Sequence, residues 1–253
     1  MANLKDVCSY QVLSILLISL IFNPVSAKPI HLFYNAQQKP KAWIDEDQQP
    51  RGFAYEIAAA ILQKAEIKFI AKAVPFNRGI NSTKLCNGIM TGVFKTPLRE
   101  EYLSYSLPIM SDQAMIISRA SDPFNYQSMS DLLNQKIAFL HGAVFGDRFE
   151  HIIPHLKKVT QQNPAMMLRL LVRKRVDLVI LNPGLAAVEY AAQAANIDMK
   201  ELNIASTPLA EVDNYLVTCN SDPQFFDPII EKINTAISQL KSSGSLQKIM
   251  AKY

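Results

Sequence analysis

The sequence KTPLREEYLSYSLP occupies Lys95–Pro108 and directly follows the apolar run GIMTGVF at Gly88–Phe94. The apolar run predicts a buried strand that ends at Phe94. Thr96 then predicts a helix N-cap, with Pro97 at the first helical position, where no amide proton is needed. This register places Arg99 in the first helical turn, where a cation opposes the helix dipole.

Arg99 therefore stands where local energetics disfavour it, beside backbone N–H groups that suit an anion. An unfavourable residue next to suitable donors suggests a carboxylate-binding site. The alternative is an exposed arginine that pairs with Glu100 or Glu101. The stretch alone leaves both interpretations open.

The first residues of the chain predict an export signal. Lys5 precedes the apolar run Val12–Phe22, and Val25–Ala27 offers the small residues that a signal peptidase requires. The run is too short to span a bilayer comfortably. We expect a signal peptide at 1–27, cleavage near Ala27, and a mature protein in the periplasm.

Composition excludes some functions for the remaining part of the chain. The formal charge is only +4, and the basic residues are not interleaved with aromatic ones, so nucleic-acid binding is not favoured. The local cluster Arg169–Arg175 is expected to be the solvated face of a helix. Cys86 and Cys219 remain after cleavage, and they are either a disulfide or two buried thiols.

The mature chain alternates strand-like and helix-like segments. The predicted strands include Ile30–Asn35, Ile67–Val74, Gly88–Phe94, Gln113–Ser118, Lys136–Leu140, Asp177–Asn182 and Asn214–Cys219. The predicted helices include Phe53–Ala65, Asn163–Arg175, Pro183–Ala195 and Pro228–Leu240. Two such alternating series predict two α/β lobes, each with a mostly parallel sheet flanked by helices.

Six landmarks occur in order along the mature chain. They are Gly52–Ile57, Pro75–Arg78, Thr96–Arg99 with Tyr105–Pro108, Leu140–Gly142, Arg175–Asp177 and Gly244–Tyr253. Together they resemble the bacterial extracellular solute-binding proteins of family 3, the periplasmic receptors that feed polar amino acids to ABC importers. The resemblance covers nearly the whole mature chain.

The resemblance implies a two-lobed, type II periplasmic-binding-protein fold. Two crossover strands, Gln113–Ser118 and Asn214–Cys219, would join the lobes. The first lobe would be discontinuous, with residues 28–112 plus 217–253, and the second would contain residues 113–216. We expect a monomer without cofactor or metal, which closes on a small carboxylate and is read by an ABC transporter component.

The resemblance also implies a set of ligand-binding residues. Arg99 corresponds to the arginine that holds the ligand carboxylate, while Thr91, Gly92 and Phe94 fall at a strand end that usually meets the ligand. Phe76 matches an apolar wall and Gln38 a position that often holds an aromatic lid. Val144 stands where threonine is frequent, and Asn182 where an acidic residue usually pairs with the ligand ammonium.

Two of these positions depart from the family pattern. Val144 has no hydroxyl, and Asn182 has no charge for an α-ammonium. A hydrogen bond to a charged group contributes about 1.5–3 kcal/mol, against about 0.5–1.5 kcal/mol for a neutral one. The ligand could therefore lack an α-ammonium, or use another anchor such as Glu56 or Asp147. A drifted relative without a transport role is a further alternative.

An enzyme is the main alternative to a binding protein. A periplasmic dehydratase of the same fold would need a cleft acid with a tuned pKa, and Glu56, Glu100 and Asp147 are candidates by position alone. A ligand-sensing module is the third class. His151 and His155 have the spacing of a metal pair, but Pro154 interrupts the helix, so surface histidines are expected. A freestanding, non-catalytic receptor is the leading interpretation.

Overall fold

The computed structural model describes residues 29–253, so the signal peptide predicted at 1–27 lies outside the described residues. In this range the strands are β1 (Ile30–Tyr34), β2 (Gln37–Gln38), β3 (Ala42–Ile44), β4 (Pro50–Arg51), β5 (Phe69–Ala73), β6 (Ile89–Phe94), β7 (Leu103–Tyr105), β8 (Met110–Arg119), β9 (Lys136–Leu140), β10 (Lys157–Gln161), β11 (Leu178–Leu181), β12 (Leu202–Ile204) and β13 (Ala210–Cys219). The α-helices are α1 (Phe53–Lys64), α2 (Phe76–Lys84), α3 (Pro97–Glu100), α4 (Asp147–Ile152), α5 (Pro164–Val172), α6 (Gly184–Ala195), α7 (Pro223–Ser242) and α8 (Ser245–Met250).

Most strands belong to one sheet with the order β10-β9-β11-β8-β13-β6-β1-β5, with β12 added to β8 and β7 added to β13. The pairs β1–β5, β1–β6, β9–β10 and β9–β11 are parallel. We call the half with β1, β5, β6, β7 and helices α1–α3, α7 and α8 the first lobe. The half with β9–β12 and helices α4–α6 is the second lobe. The predicted two-lobed α/β architecture is confirmed.

Strands β8 and β13 connect the lobes. They pair antiparallel, from Ala210 opposite Ala114 to Asn214 opposite Met110. The other end of β8 pairs with β11 and β12 in the second lobe, while the other end of β13 pairs with β6 and β7 in the first. Both predicted crossover segments lie inside these strands. Each strand begins earlier than predicted, because polar residues at its start hide the apolar pattern.

Each lobe has its own apolar core. In the first lobe, helix α1 buries residues spaced three and four apart, such as Ile57 and Ile61, against Ile233 and Ile237 of α7. In the second lobe, three phenylalanine rings, Phe139, Phe145 and Phe149, pack edge to face. Leu216 packs in the core of the first lobe. The lobe boundaries at 112/113 and 216/217 stay a prediction.

Some elements differ from the sequence-based expectation. Helix α7 begins at Pro223 and contains Pro228, which had been expected at its start. The Asp222 side chain accepts a hydrogen bond from the Phe225 N–H and caps the helix five residues earlier. The short strands β2–β4, β7 and β12 were not predicted, since strands of two or three residues carry almost no periodic signal. Strand β10 has five residues and was not predicted because Val159 is its only apolar residue.

Cys86 and Cys219 form a disulfide, with their Cα atoms 5.2 Å apart. This decides between the two alternatives that the sequence left open. The bond joins the segment after α2 to the end of β13, across 133 residues of sequence. It therefore links the crossover strand β13 covalently to the first lobe.

Among residues 29–253, no helix has the length and apolar character needed to cross a membrane.

Candidate functional site

The predicted turn after β6 is confirmed. Thr96 is the N-cap of α3, its hydroxyl accepts a hydrogen bond from the Arg99 N–H at 3.3 Å, and Pro97 occupies the first turn. Helix α3 contains four residues, Pro97 to Glu100, which is a single turn. Because a helix of one turn has only a small dipole, binding of an anion at this turn would depend on the Arg99 side chain more than on the helix N-terminus.

The Arg99 side chain is half-buried and held by two neighbours. Its Nη1 donates to the Phe94 carbonyl oxygen at 3.0 Å, and its Cζ lies 5.1 Å from the centre of the Phe76 ring. Glu100 pairs instead with Lys95, at 2.7 Å. No described residue forms an ion pair with Arg99, so the exposed-pair alternative is wrong. Because a guanidinium has five N–H donors, most remain available for a carboxylate.

Thr91 and Gly92 face other parts of the first lobe. The Thr91 side chain is buried, and its hydroxyl donates to the Ala54 carbonyl oxygen of α1 at 3.3 Å. Gly92 has φ of 75°, and a Cβ on it would lie 3.3 Å from Lys41 Cε. The ligand-binding roles expected for these two residues stay predictions, and in this structure both positions make internal contacts.

Sequence reasoning missed Lys41. Its side chain is buried at 6 % exposure, and its Nζ contacts Asp112 Oδ2 at 2.5 Å and Asn214 Oδ1 at 2.6 Å. The same ammonium lies 4.8 Å from the centre of the Phe94 ring. One signal was present in the sequence, because Asp112 directly precedes the predicted crossover segment Gln113–Ser118 and Asn214 begins the other, Asn214–Cys219, and buried polar groups need partners.

Arg99, Phe76, Phe94 and Lys41 thus form one cluster at the end of β6. The other predicted site residues are Gln38 in β2, Val144 in the loop after β9, and Asn182 directly after β11. Among residues 29–253, no hydrogen bond or ring contact joins these three to the cluster. Strands β9 and β11 are parallel neighbours, so Val144 and Asn182 follow the same edge of the second-lobe sheet. Such carboxyl ends are where ligands bind in open α/β sheets.

A cavity of about 480 Å³ lies between the lobes. Its lining includes Phe53 and Tyr253 of the first lobe, Pro183 and Leu185 of the second, and Glu211 of β13. Successive strand residues point to opposite faces, so Glu211 and its partner Gln113 face away from Asp112 and Asn214. The cavity therefore lies on the opposite face of the crossover strands from the Lys41 contacts, and it does not include the Arg99 cluster.

The acids considered for catalysis or as ligand anchors are mostly engaged elsewhere. Glu56 accepts a hydrogen bond from the Tyr253 hydroxyl and pairs with Lys252 at 3.1 Å. Glu100 pairs with Lys95. Asp147 begins α4, where its carbonyl oxygen lies 2.6 Å from His151 Nδ1. Helix α4 ends at Ile152, so His155 does not continue the same α-helix as His151.

The basic cluster Arg169–Arg175 is only partly a solvated face. Arg169 donates to the carbonyl oxygens of Ala194 at 3.0 Å and Ala195 at 3.4 Å. These carbonyls end helix α6, so the Arg169 side chain caps a neighbouring helix and also complements its dipole. Arg173 and Arg175 are exposed.

The phenolic hydroxyl of Tyr105 is a buried polar group close to Arg99. This hydroxyl makes no hydrogen bond of ordinary geometry among the described residues, although the Thr96 backbone lies near enough to act on its pKa as the smallest of the influences. Burial raises the pKa of Tyr105 to about 12, while the nearby Arg99 charge acts in the opposite direction. Because the ionised form is disfavoured, Tyr105 is a neutral neighbour of Arg99 near neutral pH.

Comparisons with known proteins agree with this architecture. The chain is 23% identical over 252 residues to "ABC transporter arginine-binding protein 1" of Escherichia coli (strain K12), a match that covers 94% of this chain and 96% of the relative. A histidine kinase sensor domain with similarity to periplasmic binding proteins superposes with a TM-score of 0.72 at 17% identity, covering 89% of this chain and 96% of that one.

An ancestral amino acid-binding protein, described as a precursor of cyclohexadienyl dehydratase, superposes with a TM-score of 0.70 at 20% identity, covering 89% of this chain and 94% of that one. These structural likenesses show the periplasmic-binding-protein fold. The sequence model of the family described as "Bacterial extracellular solute-binding proteins, family 3" matches residues 30–253. This match spans both lobes and both crossover strands, and the chain therefore belongs to that family.

Proposed function

We propose that this protein is a non-catalytic, periplasmic solute-binding protein that captures a small carboxylate-bearing solute between its two lobes. The observation that carries the proposal is the state of Arg99, which is half-buried, oriented by Phe76 and Phe94, and without an acidic partner among the described residues. A planar guanidinium with available donors matches the bidentate geometry of a carboxylate.

The family supports the finer parts of the proposal. We propose export through a cleavable signal peptide at 1–27, a monomer in the periplasm, and delivery of the solute to an ABC importer. The arginine-binding function in the name of the Escherichia coli relative supports an amino acid or a related compound as the solute. Because Asn182 is uncharged, it favours a site in which the ligand carboxylate contributes more to the binding free energy than the α-ammonium does.

The state of the acids favours binding over catalysis. Glu56 is held by Tyr253 and Lys252, and Glu100 by Lys95. A general acid or base has to reach the substrate with an available proton or lone pair, which these paired carboxylates do not offer. A dehydratase that used Glu56 or Glu100 would therefore need a rearrangement of these contacts, whereas the Asp147 carboxylate has no hydrogen bond or ion pair among the described residues.

The test is a thermal-shift screen of the mature protein against matched pairs of compounds, such as L-arginine, L-glutamine and the 2-oxo acids of the same carbon chains. At least one carboxylate is expected to raise the melting temperature of the wild type. Arg99→Ala should lose this ligand-induced rise, while its melting temperature without ligand should equal that of the unliganded wild type. Arg173→Ala, which removes an exposed arginine of the second lobe, is the matched control. Undiminished stabilisation of Arg99→Ala would overturn the assignment. Chemical turnover of a bound compound would favour the dehydratase alternative.

A further inference from the structure

The buried ammonium of Lys41 contacts both crossover strands at once. Its partners are Asp112, the third residue of β8, and Asn214, the fifth residue of β13. Asp112 is 2 % exposed and Asn214 is fully buried. A buried charge pair loses much when one partner is removed, because the other charge is left without compensation. The contact is therefore one that the protein keeps once it has formed.

Lys41 itself is fixed in the first lobe. Its carbonyl oxygen accepts a hydrogen bond from the Ala54 N–H at 2.9 Å, at the start of α1. Its side chain passes Gly92, where a Cβ would lie 3.3 Å from Lys41 Cε, and ends over the Phe94 ring. The missing side chain at Gly92 thus makes room for Lys41. The end of β6, which carries the candidate site, is held by the same contacts.

The second lobe holds the other end of each connection. Beyond Ala114, residues Met115–Ile117 of β8 pair with β11, and the Leu209 N–H donates to the Ala114 carbonyl oxygen at 2.8 Å. Ala114 is buried in the second-lobe core and Ala210 packs against it, so both residues belong to this anchor. Between the anchor and the Lys41 contacts, only Gln113 of β8 and Glu211–Asp213 of β13 remain. No side chain of these two segments belongs to the apolar core of either lobe.

We propose that Lys41 is a positioning residue that fixes the first-lobe ends of both crossover strands, so that the lobes rotate about Gln113 and Glu211–Asp213. The inference rests on the proposed function only in that this rotation encloses the solute. Without Lys41, bending spreads into Met110–Asp112 and toward Tyr215, and the end of β6 with Phe94 loses its fixed relation to the second lobe.

The test measures the distance between the lobes without any ligand. Lys72 of β5 and Lys158 of β10 are exposed and lie on the two end strands of the sheet, so Lys72→Cys and Lys158→Cys carry spin labels, attached after the native disulfide has formed. Relative to the doubly labelled protein that retains Lys41, the Lys41→Met variant should at least double the width of the distribution of distances between the two labels. Lys232→Met, at an exposed position of α7, should leave the width unchanged.

Lys41→Met leaves Asp112 as an unpaired buried charge, so the variant could fail to fold. The double variant Lys41→Met/Asp112→Asn removes both charges together and is expected to fold, with the same broadening. An unchanged width in a folded double variant would overturn the proposal. Arg99→Ala should leave the distribution unchanged, so a failure of the carboxylate assignment is distinguishable from a failure of this one.

A second measurement needs no substitution. In the unliganded wild-type protein, residue-resolved hydrogen exchange should show the hydrogen-bonded amides of Met110–Asp112 and Asn214–Leu216 exchanging at least tenfold more slowly than those of Gln113 and Glu211–Asp213. Equal rates across both sets would contradict a pivot confined to Gln113 and Glu211–Asp213. Faster exchange at the Lys41 contacts would contradict it as well.

Discussion

The guanidinium of Arg99 lies over the ring of Phe76, with Cζ 5.1 Å from the ring centre, while its Nη1 donates to the Phe94 carbonyl oxygen. The three residues come from α3, α2 and β6, which meet at one end of the first-lobe sheet. A ring face orients a guanidinium without using its N–H donors. The arrangement therefore prepares Arg99 for a planar, bidentate acceptor.

Phe76→Ala is expected to weaken binding of the carboxylate identified in the thermal-shift screen by about two- to fivefold, because a cation–π contact of this exposure contributes about 0.5–1 kcal/mol. Isothermal titration calorimetry measures the change. Phe225→Ala removes an exposed ring on α7 and should leave the affinity unchanged. Equal affinities for the Phe76 variant and the wild type would show that the ring does not orient the arginine.

Asn182→Asp is expected to raise the affinity for α-amino acids by about fivefold relative to the corresponding 2-oxo acids. The physical reason is that a charged hydrogen bond to the ammonium exceeds a neutral one by about 1 kcal/mol. Competition calorimetry with each matched pair measures the ratio. Asn125→Asp, in an exposed loop of the second lobe, adds the same charge away from the cleft. An equal gain in both variants would place Asn182 outside the pocket.

Removal of the disulfide should destabilise the protein strongly. The double variant Cys86→Ser/Cys219→Ser is expected to lose about 2–5 kcal/mol of unfolding free energy, because the bond closes a long loop of the unfolded chain. Urea unfolding measures the loss. A reductant should lower the stability of the wild type by a similar amount and leave the double variant unaffected. A reductant effect on the double variant would point to another cause.

Tyr105→Phe is expected to stabilise the protein by about 1 kcal/mol, since it removes a buried hydroxyl that has no partner. Tyr253→Phe is the matched opposite case. It removes a hydroxyl that donates to Glu56 and accepts from the Gly52 N–H, so it should destabilise the protein. Thermal unfolding of both variants measures the two signs. A destabilised Tyr105→Phe would mean that the hydroxyl has a partner, such as an ordered water.

At alkaline pH, the contribution of the Tyr253 hydroxyl to the stability of the folded protein should be lost. Burial, together with the hydrogen bond to Glu56, raises the pKa of Tyr253 from 10.0 to about 12. A raised folded-state pKa favours the neutral phenol, so its stabilisation is complete below pH 10 and is lost as the pH rises toward 12. The difference in unfolding free energy between the wild type and Tyr253→Phe should therefore shrink across this window. A constant difference would contradict the assignment.

The turn at Thr96 and Pro97 was predictable because capping chemistry is local. A hydroxyl that accepts from an amide three residues later, and a proline that needs no donor, depend on neighbouring residues alone. The crossover strands were predictable in place but not in length, since Asp112 in β8 and Glu211 and Asp213 in β13 interrupt the apolar pattern. The burial of Asp112 and Asn214 becomes understandable only through Lys41, which lies 71 and 173 residues away from them in sequence.

The pairing of Cys86 with Cys219 shows the same limit, because sequence spacing does not tell whether two Cα atoms approach within bonding range. The sequence by itself determined the two-lobed α/β architecture, the family, and Arg99 as the candidate residue that binds the carboxylate of the solute. Periodicity, capping and motif order carry that information along the chain. Only the tertiary structure decided that Gly92 makes room for Lys41, that Arg99 has no acidic partner among the described residues, and that Lys41 joins both crossover strands. These are contacts between distant segments, and they depend on how the elements pack.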